Sequence, residues 1–213
     1  MKKIFLITAA VAFLAMNAHA QDSRSNARTK IQVGLKAGAN YSNIYDTKGE
    51  SFDAEARFGA AGGVFLGIPI GRFLGIQPEV MYSQKGYKQT GSVLGSNYDL
   101  TRTMHFIDVL LLISIKPANF VTLQLGPQFS YLLKQKTDFN TGAGSVVQES
   151  QFANDNIRKN TLGAVVGLDF NFNRVVLGTR ASWDLQNNNG DGTSTNPRYK
   201  NALVQATLGY RLF

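Results

Sequence analysis

The segment IQVGLKAGANY, residues 31–41, alternates almost without fault. Ile31, Val33, Leu35, Ala37, Ala39 and Tyr41 fall on one side of an extended chain, and Gln32, Gly34, Lys36, Gly38 and Asn40 on the other. Successive side chains of a strand point to opposite faces, so this pattern sorts apolar from polar only if the segment is a strand. Seven further segments are marked in the same way: 58–69, 73–86, 103–116, 120–134, 160–171, 174–186 and 199–213. Past the first twenty residues no stretch keeps a helical period, and the expected class is all-β with eight strands.

The links between these strands alternate in length. Those at residues 70–72, 117–119 and 172–173 are tight, whereas 42–57, 87–102, 135–159 and 187–198 are long and polar. An antiparallel up-and-down transmembrane β-barrel has this arrangement, with tight turns at its periplasmic end and long loops outside. An even strand number then puts both termini in the periplasm. Strand length agrees: at about 3.3 Å per residue and a tilt near 45°, about 11 residues cross an apolar band of ~25 Å. A soluble lipocalin-like barrel would invert the pattern, with apolar residues lining a cavity. Against it stand Tyr41, Tyr82, Phe170, Phe172, Trp183 and Tyr210, which end apolar faces where interfacial girdles belong.

The opposite faces carry ionisable groups in mid-strand: Lys36, Glu79, Asp108, Asp169, Arg180, Asp184 and Arg211. Asp108 heads the greasy run FIDVLLLISIKP, sharing a face with Phe106, Leu110, Leu112 and Ser114. Eight strands enclose an interior just wide enough for side chains to fill. A desolvated charge there must be paired and hydrogen-bonded. These seven residues are therefore expected to form a lumen charge network, and the barrel to have no open pore.

The N-terminus precedes all this with Lys2, Lys3, the apolar segment IFLITAAVAFLAM and the small-residue site Ala18-His19-Ala20. It reads as a secretory signal peptide, residues 1–20, followed by a periplasmic lead-in, 21–30, and a single barrel domain, 31–213. The chain has no cysteine, which excludes disulfides, thiolate metal sites and cysteine nucleophiles. Its net charge of +8 falls by two when Lys2 and Lys3 leave with the leader. Basic charge on an exported chain points to anionic lipid or glycan, and no nucleic-acid motif is present.

Cations gather at the outer strand ends: Arg57, Lys85, Lys88, Arg102, Lys134, Lys136, Arg158, Lys159, Arg198 and Lys200. They form a candidate ring for lipopolysaccharide, whose phosphates accept charge-assisted hydrogen bonds from Arg and Lys. No cofactor or metal site is expected: the loop QNNNGDGTSTN, 186–196, lacks the EF-hand spacing and its bidentate Glu, and GAAGG, 59–63, lacks the order of a phosphate loop. The mature chain holds one histidine, His105, near the outer end of its strand, and no serine can be matched to it.

Through GLKAGANYSNI, IQPEVMYSQKGYK, FIDVLLLISIKP, LQLGPQFSYLL and LGYRLF the chain resembles the PorT-like outer-membrane β-barrel family of Bacteroidetes. The resemblance spans nearly all of the mature chain and implies the same fold and location. The family's namesake is linked to a protein-secretion and gliding apparatus, which implies an accessory role as the alternative to a structural or surface-interaction one. A lipid A-modifying enzyme centred on His105 is the weaker alternative, and no catalytic residue is assigned. The expected protein is monomeric, contacts outer-membrane lipid and lipopolysaccharide, and offers its outer loops to a possible protein partner. Pro78 and Pro127 lie within strands, where proline cannot donate to the ladder, so bulges are expected there.

Overall fold

The computed structural model describes residues 30–45, 54–93, 96–141, 144–150, 158–188 and 199–212. The expected leader, most of the lead-in, Arg198 and most of the loop 186–196 lie outside them. Among the described residues every regular element is a strand: β1 (Gln32–Tyr45), β2 (Ala54–Pro69), β3 (Leu74–Val93), β4 (Ser96–Ala118), β5 (Val121–Thr141), β6 (Gly144–Ser150), β7 (Asn160–Phe172), β8 (Val175–Asp184) and β9 (Lys200–Arg211). All pairings are antiparallel. Strands β1 to β5 and β7 to β9 pair in sequence and close through β1 on β9, so that eight strands form the ring. Closure leaves the ring no edge, which a membrane interior requires.

Strand β6 stands outside the ring and pairs only with the last residues of β5. The strands are taller here than the sequence pattern indicates. Residues 87–102 are not a loop: β3 and β4 stay paired up to Val93 and Ser96. Residues 135–159 likewise begin as a hairpin of β5 and β6. In both stretches polar residues enter both alternating sets of the sequence, so the apolar alternation that marks a lipid-facing strand is absent although the backbone ladder continues. One side of the barrel thus rises beyond the ring as a four-stranded wall of β3, β4, β5 and β6.

Alternation decides which side chains face in. On β4 Phe106, Asp108, Leu110, Leu112 and Ser114 are buried, whereas Val109, Leu111 and Ile113 are exposed. Leu111 at 55 % and Phe58 at 75 % exposure belong to an apolar belt that runs round every ring strand, far larger than a water-soluble monomer tolerates. The girdle aromatics Tyr41, Tyr82, Phe170, Phe172, Trp183 and Tyr210 are all exposed. Gly34 faces inward, and a Cβ there would lie 2.4 Å from the Phe65 ring, so the missing side chain makes room for that phenylalanine.

The two prolines do not cause bulges. Pro78 pairs with Leu111 and Pro127 with Ala164, and the register is unshifted around both. Each instead interrupts the ladder on its other side: Leu66 and Gly67 take no partner on β3, and Leu111 and Leu112 none on β5. A proline lacks a donor on one side only, so one ladder suffers and the strand continues. True irregularities fall elsewhere, between Ala56 and Ala61, between His105 and Phe106 and between Ile115 and Ala118.

Candidate functional site: charges inside and outside the barrel wall

The strands carry charged residues to two separate places. Inside, Lys36 of β1 donates to Glu79 of β3 at 2.8 Å and to Asp169 of β7 at 3.1 Å. Arg180 of β8 adds a two-pronged contact to Glu79, Nη1 to Oε2 at 2.7 Å and Nη2 to Oε1 at 3.3 Å. Gln77 donates to Glu79 and Gln124 to Asp169, at 2.6 and 2.9 Å. The four charged side chains are almost completely buried. Four strands far apart in sequence are thereby tied across the lumen. Removing one partner of such a pair leaves a buried charge uncompensated.

Farther toward the loop end Lys85 donates to Asp108 at 3.2 Å and to Ser130 at 3.1 Å, beneath the Phe106 ring. Lys85 belongs to the expected outer ring, yet it is only 2 % exposed. The reason is parity: on β3 it shares the inward face with Glu79, Met81 and Ser83. It is the partner that Asp108 requires, and with it the inner cations Lys36, Lys85 and Arg180 stand in contact with the carboxylates Glu79, Asp108 and Asp169. Direct pairing of this kind is what a desolvated interior requires.

Two members of the expected network stand apart from it. Asp184 accepts from Asn201, side chain at 2.6 Å and backbone at 3.3 Å, rather than from a cation. Arg211 sits at the tight-turn mouth, donating to the Asn173 carbonyl at 2.9 Å and to the Asn171 side chain. Asn173 carries the left-handed turn there, with φ 51°.

The outward face shows a sharp boundary across three neighbouring strands. Tyr82, Ile107 and Tyr131 form one cross-strand row; the next row toward the loops is Gln84, His105 and Lys134, and the one after it is Gly86, Thr103 and Lys136. Lipid-type residues give way to polar and basic ones within one step. The irregularity between His105 and Phe106 falls at this line, and brings Lys134 opposite His105. His105 shares a 2.5 Å hydrogen bond with the Tyr82 phenol, so a tyrosine rather than a serine is its partner. Arg57 of β2 reaches past Gly86, which has no side chain, and donates to Thr103 Oγ1. Lys88 is exposed opposite Glu55, and Lys136 pairs with Asp138 at 2.9 Å in the open.

The expected ring therefore divides. Arg57, Lys88, Lys134 and Lys136 collect on the outward side of β2 to β5. Arg102 turns inward, its guanidinium 5.7 Å from the Tyr87 ring, because on β4 it has the parity of Phe106 and Asp108. Arg158 and Lys159 immediately precede β7, and Lys200 opens β9 with its ammonium over the Tyr45 ring at 5.8 Å. Among the described residues no cluster of histidines and carboxylates could hold a metal.

The fold is similar to solved outer-membrane barrels. The attachment invasion locus protein Ail of Yersinia pestis matches with a TM-score of 0.49 at 14% identity, over 86% of this chain and 100% of that one. Neisserial surface protein A matches with 0.45 at 14%, over 84% and 96%, and OprG of Pseudomonas aeruginosa with 0.45 at 12%, over 87% and 97%. No curated protein matches the chain. The model of the outer membrane protein beta-barrel domain matches residues 19–189, and the chain belongs to that family of outer-membrane proteins.

Proposed function

We propose that this protein is a pore-less barrel with a structural and surface-interaction role, which docks lipopolysaccharide phosphates on the outward patch of Arg57, Lys88, Lys134 and Lys136. The observation that carries this reading is the step from Tyr82–Ile107–Tyr131 to Gln84–His105–Lys134. Tyrosines at that level mark a membrane interface, and cations just above them meet headgroup phosphates. Each exposed contact contributes from a few tenths to about 1 kcal/mol, since water and salt screen it. Arg158, Lys159 and Lys200 extend the same chemistry to other strand ends. In this reading residues 1–20 are removed on export, residues 21–30 lead in from the periplasm, and the tight turns and both termini face the periplasm. No catalytic role is assigned to His105.

A second reading, the accessory role in secretion or gliding that the PorT-like resemblance implies, is favoured by the tall wall of β3 to β6, which offers a surface beyond the membrane. Purification of the native protein from outer membranes separates the two. Lipopolysaccharide retained at near-stoichiometric level without a protein partner supports the first. A stoichiometric protein partner without retained lipopolysaccharide contradicts it in favour of the second.

A further inference from the structure

The two ends of the lumen differ in kind. The tight-turn end opens as a small vestibule, a cavity of about 20 Å³ with room for about one or two waters, whose lining includes Gln77, Ser114, Thr122, Asp169, Asn171 and Arg211. Of eight buried polar atoms without a protein partner among the described residues, five lie at and just above it, Ser114 Oγ, Asp169 Oδ1, Arg211 Nε, Gln124 Oε1 and Thr207 Oγ1, with Gln205 Oε1 farther up and Arg102 Nε and Asn187 Oδ1 at the loop end. Two of them face one gap, because a Cβ placed on Gly178 would lie 2.6 Å from Asp169 Oδ1 and 2.7 Å from Thr207 Oγ1. Buried polar groups so arranged are satisfied by water that enters from the mouth.

The loop end is filled differently. Ile44, Tyr87, Met104, Phe106, Leu132 and Tyr199 form a buried apolar cluster above Lys85 and Asp108. Tyr199 packs edge-on against Tyr87 with ring centres 5.4 Å apart, and its hydroxyl lies 3.5 Å from Met104 Sδ. It comes from outside the strands. Reciprocal bonds hold it down, Tyr199 N to Asn188 Oδ1 at 2.8 Å and Asn188 N to Tyr199 O at 3.0 Å. The Arg102 guanidinium lies on the loop side of this cluster, 5.7 Å from the Tyr87 ring, and the side chains beneath it form an apolar constriction, of the sort that closes a pore by excluding water.

We propose that the lumen is a half-channel for water and small ions, hydrated from the vestibule up to Asp169 and sealed at the loop end by an apolar gate of Tyr87, Met104, Phe106, Leu132 and Tyr199. Its opening toward the periplasm rests on the orientation proposed above; the asymmetry between the two ends does not. The lack of cysteine makes the test direct. Single thiols are introduced by Ser114→Cys and Met104→Cys in the full chain, folded in lipid nanodiscs that expose both mouths, and treated with a small charged methanethiosulfonate. The half-channel predicts labelling at position 114 in spite of its burial, and none at 104. An unlabelled 114 or a labelled 104 overturns it. In planar bilayers the wild type should be silent, and Tyr199→Ala with Met104→Ala should give unitary current steps; a folded double variant that stays silent overturns the gate. Heat-modifiable migration shows whether that variant is folded. If it is not, the two single-thiol proteins decide.

Discussion

Lys85 and Lys134 are both lysines of neighbouring strands near the loop end, and they meet opposite fates. Lys85 points into the lumen, where Asp108 and Ser130 take its ammonium and Phe106 covers it. Lys134 points outward beside His105, one row above the interfacial tyrosines. The inner cation is part of what makes the barrel a barrel. The outer one lies on the lipid and solvent side of the wall. Identical chemistry thus serves stability on one side of the wall and, in the proposed function, recognition on the other, and alternation along the strand decides which.

The largest expected effect comes from the inner side. Replacing Glu79 by Ala leaves Lys36 and Arg180 buried without their shared carboxylate, and should destabilise the barrel by about 3–5 kcal/mol; urea unfolding in lipid bilayers measures it. A loss below about 1 kcal/mol would show that water reaches both cations, since only a screened charge costs so little to strand. Lys85→Met should cost nearly as much, and the double change of Lys85→Met with Asp108→Leu should recover most of the loss, because removing both charges leaves nothing unpaired. Additive losses would break the assignment of Lys85 to Asp108.

The inner side was the more legible in the sequence, and for a physical reason. Lys36, Glu79, Asp108, Asp169 and Arg180 interrupt apolar alternation, so parity alone turns them into the lumen. Parity also covers Lys85, two steps beyond Ser83 on the face of Glu79, and Arg102, two steps beyond Met104 on the face of Asp108. Both sit where the outward residues turn polar, so their place near a strand end outweighed their face. Which acid meets which base was not legible: Glu79 and Arg180 are 101 residues apart, and only the stagger of the closed ring sets them level. The wall of β3 to β6 was hidden because polar residues enter both alternating sets of its sequence and its ladder carries no apolar period. The irregularity at His105 and Phe106, which brings His105 and Lys134 opposite each other, leaves no mark in composition at all.

On the outer side stability should hardly respond. Lys134→Gln with Lys136→Gln should change unfolding by no more than about 0.5 kcal/mol, as for other surface substitutions. A larger loss would mean that the outward lysines hold the wall itself. Salt gives the finest discrimination: raising ionic strength from about 0.1 M to 1 M shortens the screening length from about 10 Å to 3 Å. Lipopolysaccharide retention should weaken over that range while the unfolding free energy of the wild type stays nearly constant, because the inner pairs are buried in direct contact, where salt screens much less than at the surface. Parallel salt dependence of both would erase the distinction.

The most direct measurement is the lipopolysaccharide that co-purifies with a variant carrying Arg57→Gln, Lys88→Gln, Lys134→Gln and Lys136→Gln, set beside the wild type and a Lys85→Met with Asp108→Leu control. The account predicts that the fourfold variant remains heat-modifiable and loses most of its bound lipopolysaccharide, while the control, altered only inside, keeps it. Equal lipopolysaccharide on all three proteins, each folded, would contradict the outward patch as the docking site.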